Sequence, residues 1–217
     1  MSLPSVEALR ADAARNRRLL LEAAAAAFAQ GGIEVSAGEV ARRAGVAKGT
    51  LFRHFPTKSE LVSAVLADRM AGLRAIIAQV ARERPPGLGA VAEVMARGAE
   101  VLAADRSFFD AATVHVSPPN AELAREKHAL ETALDGLLAA AQIAGEVRPD
   151  VTGSDLGMLM MAATNTSAPH LDRYPELWRR YLALMVDGLR PGATTPLTVG
   201  PMISDPPDAA PAPRNGR

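Results

Sequence analysis

The 217 residues carry 24 lysines and arginines against 24 aspartates and glutamates and no cysteine, which excludes disulfides and cysteine-bound metals. No apolar run reaches the roughly 18 residues of a membrane span, and Glu7 and Asp12 near the start do not fit a secretory leader, so a cytoplasmic protein with one or two real cores and no membrane partner is expected. Aromatic residues make up only 4% and β-branched residues are scattered among abundant alanines, a composition that favours an all-α fold.

The charge is distributed unevenly. Residues 1–60 hold nine basic and six acidic side chains, whereas residues 61–150 hold nine and twelve, so the N-terminal end is the basic one. Arg10, Arg15, Arg17 and Arg18 form an arm there that can reach phosphates or the minor groove, or stand as a solvated helix face.

The stretch from Ser36 to Lys58 is the most informative. Ser36 is a suitable N-cap, with Glu39 three residues on to complete a capping box, and Val40 and Ala44 share a face four residues apart. A first short helix is expected over about Ala37 to Ala44. Ala41 is small enough for a helix crossing and Gly45 can take the positive φ of a sharp turn. Val46 can plug the angle between the helices. A second helix is expected over Lys48 to Phe55, stopped by Pro56. Leu51 and Phe55 turn inward, leaving Lys48, Thr50, Arg53 and His54 outward, where base edges and phosphates would lie in a helix-turn-helix complex. An amphipathic helical hairpin alone would not establish DNA binding, since many all-α proteins contain one.

The string Gly45-Val-Ala-Lys-Gly-Thr-Leu-Phe-Arg-His-Phe-Pro-Thr-Lys-Ser-Glu-Leu61 resembles the DNA-binding signature of TetR-type (TetR/AcrR) bacterial transcriptional regulators. Arg17-Arg-Leu-Leu-Leu-Glu-Ala-Ala-Ala-Ala-Ala-Phe-Ala-Gln-Gly-Gly-Ile33 is similar to that family's first helix, and the likeness covers about residues 10–70. The resemblance implies that Ser36, Ala37 and Gly38 meet the phosphate backbone and that Lys48, Gly49 and Thr50 enter the major groove, with Ala47 and Arg53 on the same surface. It implies phosphate contacts for Phe52, His54 and Lys58, and Arg17 joins them from the basic arm. Two departures stand out: Phe52 replaces the family's usual tyrosine, and Gly38 replaces a polar or basic residue.

Beyond the motif, helices are expected over Thr57 to Arg84, ended by Pro85-Pro86, and over Gly89 to Ala104. Others follow over Ser107 to Val116, Asn120 to Ala144, from the Thr152/Asp155 cap to Ser167, and over Pro175 to Leu189, about nine in all. Pro191 to Arg217 contains seven prolines and three glycines in 27 residues and is expected to be disordered. The expected organisation is a three-helix DNA-binding head over 10–60, an effector-binding and dimerisation body over 61–190, and the tail over 191–217.

The last helix has one apolar stripe in Trp178, Leu182, Met185 and Leu189 and a second in Leu177, Tyr181 and Leu184, too wide for one partner. In TetR-type proteins such helices form a four-helix dimer interface, and Gly153, Gly157, Ala162 and Ala163 would permit close approach. Met95, Phe108, Phe109, Met158 and Met161 are candidates to line a pliable effector pocket, although such residues are ordinary core as well. His115, His128 and His170 lack ligand spacing, and no catalytic motif is present, so neither metal, cofactor nor enzymatic activity is expected. The expected function is a dimeric repressor of an inverted-repeat operator in double-stranded DNA, released by an unknown small molecule. The alternative is a helical small-molecule-binding or interaction module with a weakened DNA head.

Overall fold

The computed structural model describes residues 6–104, 120–192 and 195–202, so Phe108, Phe109, His115 and the helix expected over 107–116 lie outside the described residues. The described residues hold eight α-helices, one short 3-10 turn and no strand, an all-α fold as expected. In chain order the helices are α1 (Val6–Gly31), α2 (Ala37–Arg43), α3 (Lys48–His54), α4 (Lys58–Glu83), α5 (Leu88–Ala104), α6 (Ala121–Ile143), α7 (Gly153–Ser167) and α8 (Leu177–Asp187). The 3-10 turn, Ala168–His170, follows α7 directly. None of these helices is long and apolar enough to cross a membrane.

The described residues form two compact units. One holds α1, α2, α3, the start of α4 as far as Asp68, and the first turn of α6 as far as Leu123. The other holds the remainder of α4, α5, the remainder of α6, α7 and α8.

In the first unit α1 presents Leu20, Ala24, Ala27 and Phe28, all fully buried, at the three- and four-residue spacings of a single helical face. It begins at Val6, ahead of the arginine cluster, and it ends at Gly31 because Gly32 takes φ +67° and donates its N–H to the Phe28 carbonyl at 2.8 Å. Leu61, Val62 and Val65 of α4 complete the apolar interior of this unit.

The second unit is built on α5, which packs against α7 and α8, while α7 packs against α8. Val91, Met95 and Ala99 of α5 are fully buried, and a Cβ on Gly98 would stand 2.7 Å from the Met160 sulfur of α7. Helix ends follow local chemistry: Leu123 donates its N–H to Oδ1 of Asn120 at 2.9 Å, Gly145 turns the chain at φ +72°, and Asp155 accepts the Thr152 N–H at 2.8 Å. Of the first stripe of α8, Trp178, Leu182 and the following Leu189 are buried and Met185 is half-buried.

Residues 195–202, in the stretch expected to be disordered, carry no regular structure but are tied at two points. The Arg148 guanidinium grips Asp150 through two bonds of 2.6 and 2.8 Å and donates a third to the Thr195 carbonyl at 2.8 Å. Ser154 Oγ donates to the Met202 carbonyl at 3.0 Å.

Candidate nucleic-acid interface

The site is the α2–α3 pair, and its geometry comes from a few local bonds. Glu39 donates its N–H to Ser36 Oγ at 3.2 Å, which satisfies one orphan donor at the start of α2. Gly45 takes φ +68°, and Val46 N–H reaches back to the Ala41 carbonyl at 3.0 Å, closing the turn. Val40, Ala41, Leu51 and Phe55 point into the unit's interior and are 0 to 2% exposed. The inward side of α3 is thereby fixed, and its other side must face out.

One expected cap is built differently. Glu39 does not complete a capping box with Ser36; its carboxylate accepts from Arg42 at 2.8 and 2.7 Å and from Arg43 at 2.8 Å. These two guanidiniums hold the Glu39 carboxyl down to about 2, and the Arg42 guanidinium is raised in turn by Glu39. Arg43 also donates to Gln30 of α1 at 2.8 Å. The (i, i+3) and (i, i+4) spacings were present in the sequence and made the clamp foreseeable. The same holds for Thr57, whose Oγ1 accepts the Glu60 N–H at 3.1 Å while Glu60 accepts the Thr57 N–H at 3.3 Å, a full capping box at the start of α4.

The DNA-contact candidates on α2, α3 and the start of α4 are solvent-accessible. Ser36, Ala47, Lys48, Gly49, Phe52 and Arg53 are exposed, and Ala37, Gly38, Thr50, His54 and Lys58 are half-buried. The Lys48 ammonium lies 5.8 Å over the Phe52 ring, so the residue that lacks a phenol still orients a neighbouring cation. The His54 ring is tilted against Phe55 with centroids 6.3 Å apart. Arg17 is set differently, bonded to Glu122 at 2.6 Å and stacked over Phe55 at 4.9 Å. In the arm, Arg15 pairs with Asp12, and Arg18 pairs with Glu22 at 3.0 Å.

Residues 20–65 match the model of the bacterial regulatory proteins of the tetR family, and residues 86–191 match the C-terminal domain of SbtR-like transcriptional regulators. A TetR transcription regulatory protein from Mycobacterium vanbaalenii is 37% identical, with 84% of this chain and 99% of that chain covered and a TM-score of 0.62. The chain belongs to the TetR family. A TetR transcriptional regulator from Streptomyces coelicolor is 30% identical over 82% of this chain and 99% of its own, with a TM-score of 0.62. A structure concerned with the control of antibiotic production by bacterial hormones is 27% identical, covers 81% of this chain and 98% of its own, and has a TM-score of 0.63. The protein is accordingly a DNA-binding transcriptional regulator of helix-turn-helix type.

The effector candidates of this TetR-family chain do not share one environment. Met95 is fully buried on α5, Met161 is half-buried on α7, and Met158 on the same helix is 51% exposed. Phe108 and Phe109 lie outside the described residues. Among the described residues no cluster of three or more histidines, aspartates or glutamates is placed to hold a metal ion.

Proposed function

We propose that the protein is a repressor that binds an inverted-repeat operator as a homodimer and releases it when a small molecule occupies the helical body. The observation that carries the reading is the division of α3, with Leu51 and Phe55 buried while Lys48, Gly49, Thr50 and Arg53 lie on its other side. Gly49 has open space where a side chain would be, which lets the α3 backbone come close to a base edge, and Lys48 and Arg53 supply charge for phosphate or guanine. Lys58 at the first position of α4 adds a cation beside a helix N-terminus.

Dimerisation is supported by the second stripe of α8. Leu184 is 61% exposed and Tyr181 36% exposed, and Met158 of α7 adds to an outward apolar surface that a second copy would cover. Two heads held by one such interface would read half-sites about one helical turn apart, or somewhat more. Control by a small molecule is supported by the relative whose structure concerns bacterial hormones and by the soft methionines of α5 and α7. A coupling of about 1–3 kcal/mol between effector and DNA would relieve binding roughly five- to 150-fold.

Selection of bound fragments from random double-stranded DNA with the purified protein tests the reading. The expected product is a palindromic sequence bound with steep salt dependence; no enrichment would favour the interaction-module alternative, for which the missing phenol at Phe52 speaks. Hits from a metabolite library screened by thermal shift would then be titrated against the DNA complex. A ligand that stabilises the protein without loosening DNA would remove the effector switch.

A further inference from the structure

Arg17 joins the end of the reading helix to a distant part of the chain. Its Nη2 donates to Oε1 of Glu122 at 2.6 Å, and its guanidinium carbon lies 4.9 Å from the centre of the Phe55 ring. Phe55 is the C-cap of α3, is 2% exposed, and donates its N–H to the Leu51 carbonyl at 2.8 Å. All three residues belong to the same compact unit.

We propose that Arg17 is a positioning residue for α3, held in place by Glu122, and not a ligand of DNA phosphate. The inference rests on the DNA-binding reading above and concerns how that surface is held. A guanidinium suits this place because its plane stacks on an aromatic face while its edge meets a carboxylate, which an ammonium cannot do at once. The Arg17 side chain is 34% exposed, against 82% for Arg18 and 69% for Arg15. Turning it toward a phosphate would take the guanidinium off the Phe55 ring and away from Glu122. Phe55 is adjacent to His54 and two residues from Arg53, so the seating of its ring sets the direction of the polar side chains beside it. Glu122 lies in the first turn of α6, within the same compact unit, so the pair also ties the posture of α3 to that turn.

Glu122→Gln decides between the two roles, because they predict opposite signs. Glu122 is 43% exposed and the amide keeps its shape, so the variant is expected to fold. If Arg17 positions α3, Glu122→Gln weakens binding to the selected DNA several-fold with an unchanged salt slope, and Glu122→Asp recovers part of the loss. If Arg17 is a phosphate ligand, Glu122→Gln releases it and tightens binding, and Arg17→Gln lowers the salt slope by about one; that result overturns the proposal. Amide hydrogen exchange on the DNA-free protein is the second readout. Faster exchange at Leu51 and Phe55 in Glu122→Gln supports positioning, and unchanged exchange overturns it. A parent protein that binds no DNA removes the proposed function, and the exchange comparison still decides the role of Arg17.

Discussion

The Gly153 N–H at the start of α7 donates to Oδ1 of Asp135 on α6 at 2.7 Å, and a Cβ on Gly153 would stand 2.9 Å from the Asp135 backbone nitrogen and 2.9 Å from Leu134 Cβ. Neither neighbour is the end of a flexible side chain, so an added methyl must push the helices apart. Gly153→Ala is expected to destabilise the protein by about 1–3 kcal/mol. Gly136, exposed in the interior of α6 with open space where its Cβ would lie, is the control: Gly136→Ala should stabilise by roughly 0.5–1 kcal/mol. Thermal unfolding of the two variants measures the contrast.

Lys48→Ala and Thr50→Ala are expected to weaken operator binding by about 1–3 kcal/mol each where the residue reads a base, without altering the circular dichroism spectrum. Lys58→Ala should instead weaken binding to all sequences alike and reduce the salt slope by about one. Gel-shift titrations at several salt concentrations separate the two patterns, and alanine variants that bind like the parent would show that α3 is not the reading helix.

Glu39 makes the head sensitive to acid. Its carboxyl is held at about 2 by Arg42 and Arg43, below the ordinary 4.5, so the folded state binds this proton less readily than the unfolded one. The resulting stability is fully present above 4.5 and is lost as the pH falls from 4.5 toward about 2. Glu39→Gln should be less stable than the parent at neutral pH and converge with it in acid. Denaturant melts across that range check the convergence; parallel curves would mean that the clamp contributes nothing in solution.

Leu184→Glu and Tyr181→Glu place a charge on the exposed stripe of α8 and are expected to leave the fold intact while converting dimers to monomers. Light scattering at micromolar concentration reads the assembly state. Loss of operator binding in the same variants would follow from losing the second head, whereas a parent that is itself monomeric would exclude this interface.

The helix-turn-helix was legible in the sequence because each of its determinants is local. Ser36 caps α2 by accepting an N–H three residues on, Gly45 takes a φ that other residues avoid, and Leu51 and Phe55 meet on one face by helical spacing alone. The all-α fold and the family signature follow from the same short-range rules, as does the capping box of Thr57 and Glu60, whose residues stand three apart. Tertiary structure alone decided which long-range partners the exposed-looking groups find. Arg17 reads as one of several basic residues in an arm, yet its carboxylate lies 105 residues away. Met158 and Met160 lie two residues apart on one helix, yet packing on α5 buries Met160 at 5% exposure and leaves Met158 outside. Periodicity reports that a residue lies on a helix face, but the element that covers that face is set by chain topology, which no local spacing encodes.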